Sequence, residues 1–228
     1  MAGPVAIFVL VDIAARARLW GFSRFVVGRF ALRRVPGLRF FKVLGSGHGG
    51  GFGLRPSPSR MGLFLVFDEA AAARHFIDAS PVLQAWRARS DEFFTVLLHP
   101  FSSRGSWAGM ALPATRPAPA AGPVATLTRA SIRPARAFAF WRHAPSAQRS
   151  LQQADGCLLS AGVGEAPLLR QATFSLWRNA ADIDAYAKTG AHLAATRAAY
   201  RDGYFSESMF VRFVPEDACG VWHGRPYG

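Results

Sequence analysis

The sequence predicts an α+β fold in which two tandem ferredoxin-like βαββαβ repeats form a single-chain pseudo-dimeric α/β barrel. The first observation is an internal repeat, because residues 42–76 have a counterpart in residues 156–186 and residues 91–100 have one in 206–215. The second is the order of apolar segments, which alternate between strand and helix spacing twice along the chain. The third is composition, since half of the 228 residues are hydrophobic and suffice for a buried core.

The spacing between the two copies defines the repeat. Leu44 matches Leu159 and Pro100 matches Pro215, and both pairs are 115 residues apart (159 − 44 and 215 − 100). Phe67 and Trp177 are only 110 apart (177 − 67), so the first copy has a longer turn between them. A βαββαβ unit covers one face of its sheet with helices, and a second unit must bury the other face. The two copies are therefore expected to enclose a space between two four-stranded sheets.

Each copy is predicted to contain strand, helix, strand, strand, helix and strand. Period-two and helical spacing place the first copy's elements, in order, at residues 5–12, 14–34, 38–46, 61–68, 69–89 and 92–100. The second copy's elements are at 124–130, 136–150, 156–163, 169–177, 180–200 and 204–214. The domain boundaries that follow are a first repeat at 1–100, a connector rich in Pro, Ala, Gly and Ser at 101–122, a second repeat at 123–215 and a tail at 216–228.

A glycine-rich turn, GSGHGGGFG at residues 45–53, raises the question of a phosphate site. A phosphate loop requires a helix directly after it, so that backbone N–H groups and the helix dipole point at the anion. Here a strand is predicted to follow. We therefore interpret the segment as a flexible lip over the barrel mouth, where glycine allows a ligand to approach the backbone closely.

Composition narrows the function classes. The formal net charge is +13 and nearly all of it is arginine, but the arginines are scattered and no nucleic-acid-binding motif accompanies them, so nucleic-acid binding is disfavoured. Cys157 and Cys219 lack the paired spacing of a zinc site or a disulfide framework. No apolar segment is long enough to span a bilayer and no secretory leader is evident, so a cytoplasmic location is expected.

Three segments carry a resemblance to a known family: ARLWGF at 17–22, PGLRFFKVLGSG at 36–47 and AHLAATRAAYRDGYFSESMFVRFVP at 191–215. Together they resemble the spheroidene monooxygenase (acyclic carotenoid ketolase) family, and the likeness extends from the first strand to Pro215. The resemblance implies a dimeric α/β-barrel fold, a haem iron cofactor and O2 as co-substrate. It also implies reduced ferredoxin as electron donor and a carotenoid such as spheroidene, oxidised to a ketone by way of hydroxylation.

A haem requires one basic nitrogen held below the iron, and His192 is the preferred axial and metal ligand. Small residues surround it on its predicted helix face, and its repeat counterpart is Val82, so only one half would carry the ligand. An isolated histidine on an alanine-rich helix is also compatible with a surface or core role, and His75 and His99 are the next candidates. Lys42 and Arg212 are the basic residues expected to bind the haem propionates.

Strand alternation separates two faces of the last strand. Ser206, Ser208, Phe210 and Arg212 are predicted to face the barrel interior, whereas Glu207, on the face of Met209 and Val211, is predicted to point away from the pocket. No distal catalytic residue is assigned. Trp20, Phe22 and Phe25 on the first helix, together with the basic surface, are expected to support contact with an anionic membrane, which would place the protein at the inner membrane.

Two other readings stay open from the sequence. The barrel fold does not dictate function, so a non-catalytic binding module is one alternative, and a haem barrel that acts on peroxide or another apolar small molecule is the other. Self-association into a homo-oligomer is also left open. A Soret band separates the haem proteins from the binding module, and product analysis then separates the two enzymes.

Overall fold

A computed structural model describes residues 3–48, 55–166, 168–188 and 190–228. The glycine-rich segment predicted as a lip falls largely on residues 49–54, outside the described residues. The first repeat contains four strands and four helices within the described part of the chain. Their bounds are β1 Val5–Ile13, α1 Arg18–Ser23, α2 Gly28–Leu32, β2 Leu38–Gly47, β3 Pro56–Phe67, α3 Ala70–Ala79, α4 Pro81–Arg87 and β4 Ser90–Gly105.

The second repeat follows the same order. Its elements are β5 Val124–Ile132, α5 Ala137–Gln152, β6 Cys157–Ala166, β7 Arg170–Trp177, α6 Ala180–Ala187, α7 Gly190–Arg201 and β8 Phe205–Trp222. A short strand, β9, at Arg225–Tyr227 pairs with the end of β8. The last strand of each repeat therefore continues beyond the predicted boundaries, into the connector at 101–105 and into the tail at 216–222.

Three of the predicted long helices are each divided into two. In the first, the hydroxyl of Ser23 donates to the carbonyl of Trp20 at 2.7 Å, and the backbone then tightens to bonds three residues apart. In the second, Ser80 has an extended conformation because Pro81 follows it, and proline opens α4. The third divides between Ala187 and Gly190. Helical spacing persists across such short interruptions, so the pattern alone does not reveal them.

The strands form a closed antiparallel barrel. Among the described residues the order is β4-β1-β3-β2-β6-β7-β5-β8, and β8 pairs with β4 to close it. The pairing of β4 with β8 begins with Phe94 opposite Gly220 and ends with Gly105 opposite Met209. Adding the repeat spacing of 115 to 94 and 105 gives 209 and 220, so the two terminal pairs are equivalent and the pairing is symmetric about the repeat. The predicted pseudo-dimeric α/β barrel is confirmed.

The barrel interior is filled by apolar side chains from both repeats. Phe8 of the first repeat stacks on Phe174 of the second with ring centroids 4.1 Å apart, and Phe64 stacks on Trp107 at 5.3 Å. These residues belong to one cluster of buried side chains to which every barrel strand contributes. The expected enclosed space between the sheets is thus a packed core, because large aromatic side chains from facing strands meet at its centre.

Candidate functional site

The two repeats differ on the outer faces of their sheets. In the first repeat, Ile7, Val9 and Leu65 are fully buried beneath α3 and α4 in an apolar cluster. In the second repeat, strand register places polar residues at the matching positions. The matched pairs are Ile7 with Thr126, Val9 with Thr128, Leu63 with Thr173, Leu65 with Ser175 and Leu97 with Arg212. The second outer face is therefore less apolar than the first, and it packs against α5 and α6 through a smaller cluster, Val124, Leu151, Trp177 and Ile183.

A cleft opens over this polar face. Thr128 is exposed, and Thr173 and Arg212 are only partly buried, whereas their apolar counterparts Val9, Leu63 and Leu97 are fully buried. Phe210 is also partly buried, and its counterpart is the buried Thr95. Arg212 lies opposite Thr126 and Phe210 opposite Thr128 on the paired strands. A cavity of about 500 Å³ adjoins them, lined by Phe101, Ser102, Arg104, Ala118, Phe210 and Arg212. We refer to this space as the second-repeat cleft.

The sheet beside the second-repeat cleft is ordered by hydrogen bonds among buried side chains. The hydroxyls of Thr126 and Ser175 are 2.8 Å apart, and the Trp177 indole donates to Ser175 Oγ at 2.8 Å. At one edge, Arg212 donates to Asp184 of α6 at 2.6 Å, which ties that helix to the sheet. The buried hydroxyls of Thr126 and Ser175 are thus satisfied, and Arg212, which lines the cavity, remains about one-fifth exposed.

His192 lies in α7, a helix of the same repeat that packs beside α5. The side chain of His192 is outside what the structure describes, so its assignment as axial ligand stays a prediction. The residues described contain no cluster of three or more His, Cys, Asp or Glu side chains arranged to hold a metal ion. His75 is exposed on α3, and His99 is buried in β4, where its Nε2 lies 2.6 Å from Glu216.

The predicted orientation of β8 is wrong. Met209, Val211 and Phe213 point into the barrel core, and the set that includes Phe210 and Arg212 points outwards into the second-repeat cleft. The sequence reasoning expected polar residues around an internal cavity, but the interior is packed and the open space lies outside the sheet. Arg212 consequently lines a cavity, as a propionate-binding residue must, but on the opposite face of the strand.

Lys42 occupies a different place from Arg212. It points into the barrel between Phe40 and Leu44, and its ammonium donates to Glu165 at 2.6 Å. Arg129, only 3 % exposed, lies between Glu165 and Glu207 and pairs with both. This interior charge network (Lys42, Glu165, Arg129 and Glu207) closes one end of the packed core. Lys42 and Arg212 thus lie on opposite faces of the barrel wall and do not flank one pocket.

Glu207 is therefore inside the barrel, and the prediction that it points away is corrected. Burial alone raises the pKa of Glu207, but hydrogen bonds from the backbone of Gly109, the hydroxyl of Ser106, the backbone of Ala108 and the Arg129 guanidinium outweigh burial and lower the pKa to about 2. Glu165 behaves similarly: burial raises its pKa, and hydrogen bonds from Lys42 and the Trp107 indole produce a net lowering. Both carboxylates are charged near neutral pH, so each offsets a buried cation.

A duplicated motif that the sequence reasoning missed forms the two ends of the barrel. GSWAG at 105–109 and GVWHG at 220–224 share the pattern G-x-W-x-G and are 115 residues apart (220 − 105). Each tryptophan is 1 % exposed, and each second glycine donates its N–H to a glutamate, Gly109 to Glu207 and Gly224 to Glu92. The repeat spacing of 115, which relates Pro100 to Pro215, also relates Gly105 to Gly220 and is the sequence signal for this motif.

The two tryptophans differ in one respect. The Trp107 indole donates to Glu165 at 2.8 Å, whereas the Trp222 indole nitrogen is buried with no partner among the described residues. The position 115 residues before Glu165 is Gly50, which lies outside the described residues. At the end of the barrel that holds the interior charge network, the connector thus adds the Trp107 indole to Glu165 and the Gly109 N–H to Glu207.

The chain is similar in sequence to proteins that are named spheroidene monooxygenase. No family model matches it. The chain is 54 % identical over 226 residues to a protein named spheroidene monooxygenase from Rubrivivax gelatinosus, a match that covers 99 % of this chain and 88 % of that protein. It is 35 % identical over 228 residues to a spheroidene monooxygenase from Rhodobacter capsulatus, with 97 % and 94 % covered.

Among solved structures, a crystal structure of aldoxime dehydratase superposes with a TM-score of 0.62 at 12 % identity, over 95 % of this chain and 82 % of that one. At that identity the likeness concerns the fold alone, and it agrees with the closed α/β barrel described above. The relatives, by contrast, are similar in sequence along nearly their whole length. The chain therefore belongs to the spheroidene monooxygenase family and is an enzyme of the oxidoreductase class.

Proposed function

We propose that the protein is a haem-dependent monooxygenase that introduces a keto group into an acyclic carotenoid such as spheroidene. O2 would be the co-substrate and a ferredoxin-type protein the electron donor. The substrate class rests on the names of the relatives. The observation that supports the cofactor proposal is the second-repeat cleft, because at Thr128, Thr173 and Arg212 this sheet presents polar side chains where the first repeat packs Val9, Leu63 and Leu97.

The residues of the cleft fit a haem. Phe101 and Phe210 offer aromatic faces to a flat macrocycle, and Arg104 and Arg212 offer cations to its carboxylates. Thr128, in place of the buried Val9, is exposed beside Phe210 and leaves that part of the sheet uncovered. We propose His192, on a helix of the same repeat, as the axial ligand, in line with the requirement for a single rigid imidazole.

Bound haem would supply the oxidising chemistry, and the protein would bind, orient and exclude water. Arg212, already held by Asp184, is positioned at the cleft edge and need not reorder to receive a carboxylate. The high positive charge favours association with an acidic donor protein. Each hydroxylation would put one oxygen atom of O2 into the substrate and reduce the other to water with electrons from the donor. A second hydroxylation at the same carbon gives a geminal diol, which loses water to become the ketone.

His192→Ala tests the axial ligand. Protein purified with haem supplied is expected to show a Soret band in the wild type, and the variant should lose that band or shift it, together with ketone formation from an acyclic carotenoid. His75→Ala is the matched control, because His75 is exposed on α3 of the first repeat. An unchanged Soret band and activity in His192→Ala would show that another residue holds the iron.

The wild-type spectrum also separates the remaining readings. Colourless protein after haem supplementation would overturn the haem proposal and favour a binding module. A Soret band without any keto product in cells that make acyclic carotenoids would instead indicate a haem enzyme for another apolar substrate.

A further inference from the structure

An exposed apolar patch lies on α1 and α2 of the first repeat. Five large apolar side chains in this short segment face solvent, and Leu19, Val26 and Phe30 are 87 %, 68 % and 60 % exposed. Few other large apolar side chains in the described part of the chain are as open to solvent. We define the α1–α2 patch as Leu19, Phe22, Val26, Val27 and Phe30.

The other side of the same helices is anchored in the protein. Trp20 meets Trp86 edge to face with ring centroids 5.4 Å apart, and Phe25 approaches Gly45 of β2. Gly21 packs so closely on Ile13 that a Cβ there would lie 3.3 Å from its side chain. Trp20 and Phe25, expected from the sequence to contact lipid, are thus partly buried against the core of the first repeat. The core contacts fix the position of the two helices, and their remaining apolar side chains face solvent. The patch residues therefore do not contribute to the packing of the core.

The charged side chains of the segment that carries the patch have one sign. Between Ile13 and Phe67 the sequence has no Asp or Glu, but it has ten basic residues. Arg18, Arg29 and Arg33 are exposed on or beside the two helices. Exposed apolar side chains that alternate with arginine, without acids, are typical of segments that lie at an anionic lipid surface.

We infer that the α1–α2 patch docks the protein on an anionic bilayer, with its apolar side chains at the acyl boundary and its arginines on lipid phosphates. A symmetric contact with a second copy would bring the same arginines face to face, so self-association through this patch is disfavoured electrostatically. The inference deepens the proposed function, since a carotenoid is dissolved in the membrane, but the patch and its charge stand independently of any chemistry.

Vesicle flotation tests the docking without substrate or cofactor chemistry. Wild-type protein is expected to float with vesicles of phosphatidylglycerol and phosphatidylcholine at low salt, and to bind less to phosphatidylcholine alone or at high salt. Phe22→Ser with Phe30→Ser should lower the partition coefficient about tenfold or more, as should Arg18→Gln with Arg29→Gln. Phe138→Ser and Arg149→Gln are the matched controls, because both residues are exposed on α5 of the other repeat.

Far-UV circular dichroism and thermal melting confirm that each variant folds, and the altered side chains are exposed, so folding should persist. Equal flotation of the patch variants and the controls would overturn the inference. So would a wild-type dimer, measured by light scattering, that becomes monomeric in Phe22→Ser with Phe30→Ser while neither binds vesicles. A normal Soret band and activity on detergent-dispersed carotenoid in the patch variants would leave the proposed function intact, whichever way the flotation falls.

Discussion

At the scale of single residues, the barrel contains a buried cation, Arg129, that two carboxylates compensate. Arg129 is almost wholly buried, and removing a partner of such a cation usually costs more than the pair contributes, because a charge is left without compensation. Glu207 and Glu165 offset it from two sides, and Lys42 completes the row. The network seals one barrel end through charges that are all paired.

Glu207→Gln is expected to lower the stability of the protein at pH 7 by roughly 1–3 kcal/mol. The native pKa of about 2 lies below the ordinary value of 4.5, so the ionised carboxylate stabilises the native state above pH 4.5. That stabilisation is lost as the pH falls towards 2. Urea denaturation at a series of pH values should therefore show wild type and variant converging over this interval.

Glu69→Gln provides the control for this experiment, because it changes the same group at an exposed position before α3. It should leave the pH dependence of unfolding close to that of the wild type. If Glu207→Gln and wild type kept parallel stability profiles down to pH 2, the lowered pKa of Glu207 would be refuted.

At the scale of elements, the G-x-W-x-G motif explains how each repeat ends. Gly105 and Gly220 have φ angles of +76° and +109°, and a Cβ at either would lie 2.0 Å from a carbonyl oxygen of the facing strand, that of Ser208 or Phe93. Glycine is thus required at each of these two positions for two reasons. The facing backbone is too close to leave space for a side chain, and the left-handed conformation disfavours any residue with a Cβ. The chain then turns and places its tryptophan over the barrel end.

Gly105→Ala and Gly220→Ala are each expected to destabilise the protein by roughly 3 kcal/mol or more, through backbone clash and strain. Gly109→Ala is the matched comparison, because Gly109 also has a positive φ but nothing lies within 4 Å of its added Cβ. It should cost about 1 kcal/mol. Thermal and urea unfolding measure all three, and similar losses for Gly105→Ala and Gly109→Ala would contradict the proposed close approach.

The elements also show why helix lengths were overestimated. Apolar residues recur at helical spacing through Ser80 and Pro81, so the pattern predicts one helix over 69–89, while proline restricts the residue before it and breaks the helix there. The proline was visible in the sequence. The tightened turn after Ser23 was not visible in the sequence, because it depends on a hydrogen bond from the Ser23 hydroxyl to the backbone carbonyl of Trp20.

At the scale of the whole molecule, the two repeats share one core. Phe8 and Phe174 stack across the repeats, and Trp107, which follows the first repeat's last strand, binds Glu165 of the second. Neither repeat alone would cover the inner face of its sheet. The molecule is thus one folding unit despite its duplicated sequence.

Unfolding of the full chain is expected to be a single cooperative transition. Tryptophan fluorescence and far-UV circular dichroism should give coincident curves in urea. A chain of residues 1–118 alone is expected to aggregate or to pair with itself, because its inner sheet face is exposed, and mixing it with residues 119–228 should restore a complex. Two separate transitions in the full chain would show that the repeats are stable on their own.

Repeat spacing and period-two patterns were enough to predict the duplication, the order of the elements along the chain and the barrel, because they do not depend on knowledge of contacts. The family followed from the resemblance of the segments 17–22, 36–47 and 191–215. Only the tertiary structure decided which face of β8 is inside, that the barrel interior is packed, and that the open cleft lies outside the second sheet. The reason is that alternation separates the two faces of β8, but whether the barrel interior is a polar cavity or a packed apolar core depends on the side chains that the facing repeat places opposite them.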